Sequence, residues 1–229
     1  MEIQPCRTPS RLVVAVDGGV ATGKSSACTA VAQRLHVPYF NAGLLYRALA
    51  LWCVGERIAL DNVDGKVESA ARNFPIDVSL DSGTTAISLG GSDVFDQLKT
   101  SEVSRAVPEV ARHLTVREVM TARQRAIVRY AKREFGGVVI DGRDATTVVV
   151  PDADVKILLV ADEKARARRV GAGEGVLPAA KRDAADGASS NFLRPGSDVA
   201  LLDTSALDVG ELVSRVLALV FEQIDLRHL

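Results

Sequence analysis

From Leu12 to Val16 the chain runs apolar and β-branched without polar alternation, then stops at Asp17 and two glycines. That continuous apolar character predicts a parallel strand covered on both faces. Lys24 to Leu35 follows as a helix, and "YFNAGLLYRALALWC" predicts another from about Ala42 to Cys53, with Asn41 as its cap. Its apolar residues are dense enough to pack on two sides. Period two appears in "PIDVSL" and "TTAISL" around "DSG", which predicts a hairpin over Phe74 to Ser92, a small insert in the strand and helix alternation.

Thr100 to Ala111 and Val116 to Lys132 read as helices, the second carrying Arg117, Arg123, Arg125 and Arg129 around apolar positions. "GGVVIDGRD" and "DVKILLVAD" read as two further buried strands, "DVALLDTS" as a last strand, and Val209 to Ile224 as a closing helix. Gly171 to Gly196 is rich in glycine, alanine, serine and charge and shows little periodicity, so it reads as a loop or short lid.

The 229 residues suit one α/β domain with a small inserted subdomain. With 28 basic against 29 acidic residues the net charge is −1, so no global field draws the chain to a nucleic-acid polymer or an anionic membrane. Any anion must be held by a local site. Cys6, Cys28 and Cys53 lack the number and spacing of a disulfide framework or zinc site, which predicts a reduced, cytoplasmic protein. Residues 1–10 read as a loose tail, and no apolar stretch is long enough to span a bilayer.

"VDGGVATGKSS" is where chemistry enters. Gly18 to Ser25 satisfies G-x-x-x-x-G-K-[ST] between a predicted strand and a predicted helix, the context that the motif needs. Glycines let backbone amides turn round phosphate oxygens, and the helix N-terminus adds partial positive charge. Lys24 reaches the β and γ phosphates and the Ser25 hydroxyl faces Mg²⁺, so the stretch is a nucleoside triphosphate cradle. No N-K-x-D base-reading motif or transporter signature is present, which leaves small-molecule kinases as the leading class.

Arg143 and Asp144 end a buried strand, at the carboxyl edge where open parallel sheets place ligands. On its own, "DGRD" is equally a salt-bridged loop. Arg47, Arg117, Arg143 and Arg182 come from four segments that could ring one crevice, where guanidinium forks match phosphate oxygens. Taken singly, each is more readily a solvated surface arginine.

"NAGLLYRALAL", "LKTSEVSRAV", "VREVMTARQRA", "VIDGRDATTVVVPDADVKILLVAD", "KRDAAD" and "DVALLDTSAL", with the phosphate loop and in this order, resemble the bacterial cytidylate kinases over nearly the whole chain. The resemblance implies an α/β P-loop fold of three layers, with a central parallel sheet, an inserted acceptor-binding subdomain at about 41–112 and a short lid at about 168–196, all within one kinase domain over 11–229. It implies phosphoryl transfer from ATP with Mg²⁺ to CMP or dCMP. A monomer is the expected state, although nothing in the residues fixes it.

Residue by residue, the resemblance assigns Gly18, Gly19, Val20, Ala21, Thr22, Gly23, Lys24, Ser25 and Ser26 to the ATP phosphates. Arg47, Arg143 and Arg182 hold the acceptor phosphate or the transferring group; Arg117 and Asp144 read cytosine; Asp186 contacts the ribose. By charge and position Arg166 and Arg169, at the start of the lid-side helix, read as clamps, at least one of them more readily as a solvated helix arginine. Lys24, Arg143 and Arg182 form the expected catalytic set. No base is required, because a phosphate monoester with a second pKa of about 6 is already largely dianionic at neutral pH. His36, His113 and His228 accordingly stand in no catalytic arrangement.

The chain departs from the family pattern on the acceptor side. Asn41-Ala42-Gly43 replaces D-[ST]-G, Pro108 stands where a serine contacts cytosine, and Ser189 stands where a second lid arginine is usual. Two alternatives therefore remain: a kinase of the same fold for another phosphorylated small molecule, and a nucleotide-binding regulator without catalysis.

Overall fold

The computed structural model describes residues 11–61, 64–170 and 196–225. In chain order the elements are β1 (Leu12–Gly18), α1 (Lys24–Leu35), β2 (Tyr39–Asn41), α2 (Gly43–Gly55), α3 (Lys66–Asn73), β3 (Ile76–Leu80), β4 (Thr85–Leu89), β5 (Ser92–Asp93), α4 (Ser101–Ala111), α5 (Leu114–Glu134), β6 (Gly137–Gly142), β7 (Val155–Val160), α6 (Glu163–Val170), β8 (Ala200–Asp203) and α7 (Val209–Asp225). A π-helical turn, Ala145–Val149, follows β6.

Five parallel strands form the central sheet in the order β2-β6-β1-β7-β8. All seven residues of β1 are buried, and side-chain alternation explains why. Val13 and Ala15 pack into one core with Leu45, Leu49, Val110 and Met120 of α2, α4 and α5. Leu12, Val14 and Val16 pack into the other with Val31 and Leu35 of α1 and Leu212, Val216 and Val220 of α7. The result is a three-layer α/β fold in which β1 is flanked on both sides, so its carboxyl end lies where the strand order reverses.

The expected hairpin is present as β3 and β4, with a short β5 completing an antiparallel sheet. Its turn is set by Asp81, whose Oδ1 accepts from the amides of Gly83 (2.6 Å) and Thr84 (2.8 Å). The hairpin joins the outermost strand of the main sheet: the Tyr39 amide donates to the Asp81 carbonyl at 2.7 Å, and the Thr85 hydroxyl donates to the Tyr39 carbonyl at 3.0 Å. An otherwise open sheet edge is thereby covered.

Several local expectations are corrected. Asn41 belongs to β2 and does not occupy the cap position of α2, which is Ala42 in helical conformation. Its side chain still serves the helix start, since Oδ1 accepts from the Gly43 amide at 3.1 Å. β2 is too short to show a period, and α3 is mostly polar, so neither was expected. Pro108 lies inside α4, where its missing amide deprives the Ser104 carbonyl of a helical partner. No helix among the described residues is long and apolar enough to cross a membrane.

Candidate active site

β1 delivers Gly18 to the carboxyl edge of the sheet, and α1 begins at Lys24, so the intervening turn must reverse the chain within five residues. Gly23 precedes the helix at φ +87°, and a Cβ there would lie 2.9 Å from Leu212 Cδ2; only glycine fits.

Three carbonyls of this loop face neighbouring elements. Arg166 Nε donates to Val20 O at 2.9 Å, Arg169 Nη1 to Ala21 O at 3.2 Å, and the Thr204 hydroxyl to Thr22 O at 3.0 Å. In a trans peptide the N–H points opposite to the C=O, so pinning these carbonyls outward turns the amides of Ala21, Thr22 and Gly23 the other way. A row of inward amides at a helix start is an anion cradle.

Arg169 also donates to Thr204 Oγ1 at 3.0 Å, to Thr204 O, and to Leu207 O at 3.2 Å, which makes it a strap between α6, the phosphate loop and the chain after β8. Replacing Arg169 with alanine is expected to weaken nucleoside triphosphate binding about 10-fold, the equivalent of one lost charge-assisted bond. Isothermal titration calorimetry measures it, and unchanged affinity would show that the strap does not shape the loop.

Lys24 and Ser25 open onto a cleft of about 380 Å³. Burial, then the charge of Arg143, pushes the Lys24 ammonium below the usual lysine range, against the opposing pull of Asp141 and Asp17. Arg143 Nη1 donates to the Gly18 carbonyl, so this guanidinium sits at the base of the loop.

Across the cleft, Arg117 and Asp144 form an ion pair at 3.4 Å, their side chains only 18% and 15% exposed. Tyr46 lies beside them; burial and then the Asp144 carboxylate raise its phenol pKa well above the usual range, so it remains protonated. Arg47 Nη1 is held by Leu98 O at 2.7 Å and Ser104 Oγ at 3.2 Å.

The structure thus brings Val20, Ala21, Lys24, Ser25, Arg47, Arg117, Arg143 and Asp144 to one cleft, with Pro108 on its wall. Gly18, Gly19, Thr22, Gly23 and Ser26 shape the loop and first helical turn without lining that cleft. Arg166 and Arg169 hold the loop backbone. Arg182 and Asp186 lie outside the described residues.

Two carboxylates were not expected. Asp141, the first aspartate of "DGRD", accepts from Ser25 Oγ at 2.8 Å and Tyr39 Oη at 2.9 Å. Asp17 is wholly buried and accepts from the Ala145 amide (2.9 Å), the Thr146 amide (2.8 Å) and the Thr146 hydroxyl (2.6 Å). Burial raises the pKa of Asp17, and the three donors pull it back. Both residues terminate apolar strands, the one signal in the sequence that marks them.

Among the described residues no cluster of three or more His, Cys, Asp or Glu side chains can hold a metal. The Ser25 hydroxyl and Asp141 carboxylate form a two-oxygen set, which suits a Mg²⁺ ion completed by water and phosphate.

The sequence model of the family described as "Cytidylate kinase" matches residues 14–222. The cytidylate kinase of Rhodococcus jostii is 36% identical over 226 residues, covering 93% of this chain and 96% of that protein. Those of a Geobacillus species and Streptomyces griseus are 35% and 37% identical, with 92% of this chain and 97% and 93% of theirs covered. Among solved structures, TT1252 from Thermus thermophilus shares the fold at a TM-score of 0.51 and 15% identity, over 93% of this chain and 97% of that one.

Proposed function

The chain belongs to the cytidylate kinase family, and from that membership and the cleft we propose that it transfers the γ-phosphoryl group of ATP to CMP or dCMP. The observation that carries the reading is the meeting, in one cleft, of the phosphate-loop residues Lys24 and Ser25 with the half-buried Arg117–Asp144 pair.

Each side chain then has a task. Lys24 neutralises charge on the transferring phosphoryl oxygens, and Arg143, at the base of the loop and on the cleft wall, would serve donor and acceptor phosphates alike. Arg47, on the acceptor wall, takes the acceptor phosphate, which is already a nucleophile and needs no base. Ser25 and Asp141 would hold Mg²⁺, which when bound neutralises charge on the phosphate chain.

The base is read by complementarity. An Asp144 oxygen accepts from the exocyclic amine of cytosine, whereas uracil presents a carbonyl oxygen to the same carboxylate. Arg117 supplies donors for the ring acceptors and keeps Asp144 oriented through their ion pair. Residues 41–112 contribute Asn41, Tyr46, Arg47, Ser104 and Pro108 to this wall, so we assign that span to acceptor binding.

A second reading, a kinase for another phosphorylated acceptor, is favoured by the apolar wall that Val107, Pro108 and Ala111 present where a hydroxyl would suit cytosine. ADP release with ATP, Mg²⁺ and a panel of CMP, dCMP, UMP, AMP and GMP separates the two. Turnover with CMP and dCMP supports the first; ATP binding without turnover of any of the five overturns it and leaves either a kinase for another acceptor or a nucleotide-binding role without catalysis.

In the same assay, Asp144→Ala is expected to lower kcat/KM for CMP by roughly 10- to 100-fold while leaving the KM for ATP near its original value. Equal losses for CMP and UMP would remove Asp144 from base reading.

A further inference from the structure

Behind the Ser25–Asp141 pair the side chains form a directed hydrogen-bond chain. Asn41 Nδ2 donates to Tyr39 Oη at 3.2 Å, and Tyr39 Oη donates to Asp141 Oδ2 at 2.9 Å. Ser25 Oγ donates to the same carboxylate oxygen at 2.8 Å. The direction is set at its far end, because Asn41 Oδ1 is occupied by the Gly43 amide at 3.1 Å and only the amide nitrogen is left for Tyr39. Tyr39 is 5% exposed and sits on β2, whose register places Tyr39 opposite Val139 and Asn41 opposite Asp141.

Both donors therefore converge on Oδ2, and among the described residues no hydrogen bond engages Oδ1. A cation that takes the Ser25 hydroxyl oxygen as a ligand changes that hydroxyl's geometry, whereas Tyr39 reaches Asp141 from the protein interior. Tyr39 is the partner that keeps the carboxylate in place when the site is filled.

We infer that Tyr39 is a positioning residue for the cation site: it holds Oδ2 of Asp141 so that Oδ1 faces the cleft, and Asn41 holds Tyr39 in turn. The inference rests on the reading of Ser25 and Asp141 as the cation-holding pair. It also gives Asn41, which lines the acceptor wall, a role on the donor side.

The test uses Mn²⁺ as the probe, titrated into the full-length protein with saturating ADP and no acceptor, free Mn²⁺ being read by electron paramagnetic resonance. Nothing turns over. Tyr39→Phe, which removes only the hydroxyl, is expected to weaken Mn²⁺ binding by about 10-fold, the size typical of a lost partner behind a metal ligand. Asn41→Ala is expected to weaken it by a smaller factor, and supplies the measurement should Tyr39→Phe fold poorly. ADP affinity without metal should stay at the wild-type value in both, an outcome that general disruption of the site would not produce.

Asp141→Asn is the control. If it weakens Mn²⁺ binding and neither Tyr39→Phe nor Asn41→Ala does, the inference is overturned and the cation pair stands. If Asp141→Asn has no effect either, the cation pair itself is wrong and the inference falls with it.

Discussion

Lys24→Ala is expected to lower turnover of CMP by about 10³-fold or more while leaving the protein folded. The ammonium stands where β1 hands over to α1, at the mouth of a loop whose carbonyls are fixed outward by Arg166, Arg169 and Thr204. Among the described residues it is the one lysine on the cleft wall, and no neutral side chain of comparable reach replaces its charge on the transferring phosphoryl group. Within the protein that charge is disfavoured by burial and by Arg143. Removing it therefore should not destabilise the unliganded protein.

The sign of the pH dependence follows. A lysine whose folded pKa is depressed weakens the fold where it is charged, and the penalty is relieved as pH rises from the folded value toward the unfolded value of about 10.4. Any stability advantage of Lys24→Ala over the wild type should accordingly shrink with rising alkaline pH. ADP release and thermal melts over that range check both halves; retained turnover in a folded variant would remove Lys24 from the chemistry.

Contiguous features of the site were legible and long-range contacts were not. Gly18 to Ser25 is recognisable because the phosphate loop is one local turn, in which spacing alone dictates backbone geometry. Arg143 and Asp144 were marked by their place at the end of an apolar strand and Arg47 and Arg117 by residue type, with their roles coming from the resemblance; the fold adds that Arg117 and Asp144 pair directly. Asp141 and Tyr39 were missed because their partners lie 116 and 102 residues away in the chain, where no periodicity points. Arg169 was read by its charge as a clamp on ligand, yet its donors are taken by Ala21, Thr204 and Leu207.

The same division holds for the fold. β1, β6 and β7 are continuous apolar runs, which burial on both faces demands, and α1 was placed at its observed limits. β2 owes its existence to pairing with β6, not to its three residues, and so Asn41 was taken for a helix cap.

Asp17→Ala should have the largest effect on stability of any substitution near the site, a loss of about 3 to 5 kcal/mol. The carboxylate is wholly buried at the end of β1 and satisfies two amides and a hydroxyl of the π-helical turn Ala145–Val149. Alanine leaves all three donors without that acceptor in a site too enclosed for bulk water to compensate, and each such orphan costs about 1 to 3 kcal/mol. Relief of the carboxylate's own burial offsets part of the sum, which keeps the expected value below the simple total.

Asp17→Asn retains one carbonyl acceptor but turns an amide toward a donor, so an intermediate loss is expected. The turn that Asp17 holds begins directly after Arg143 and Asp144, and β1 pairs with β6 in a register that sets Asp17 beside Gly142. Loosening it should displace both site residues, raising the KM for CMP even where the variant is folded. Urea unfolding followed by steady-state kinetics at low temperature measures the two consequences separately. A stability within about 1 kcal/mol of the wild type would mean that the turn finds other acceptors, and that Asp17 does not organise the acceptor side.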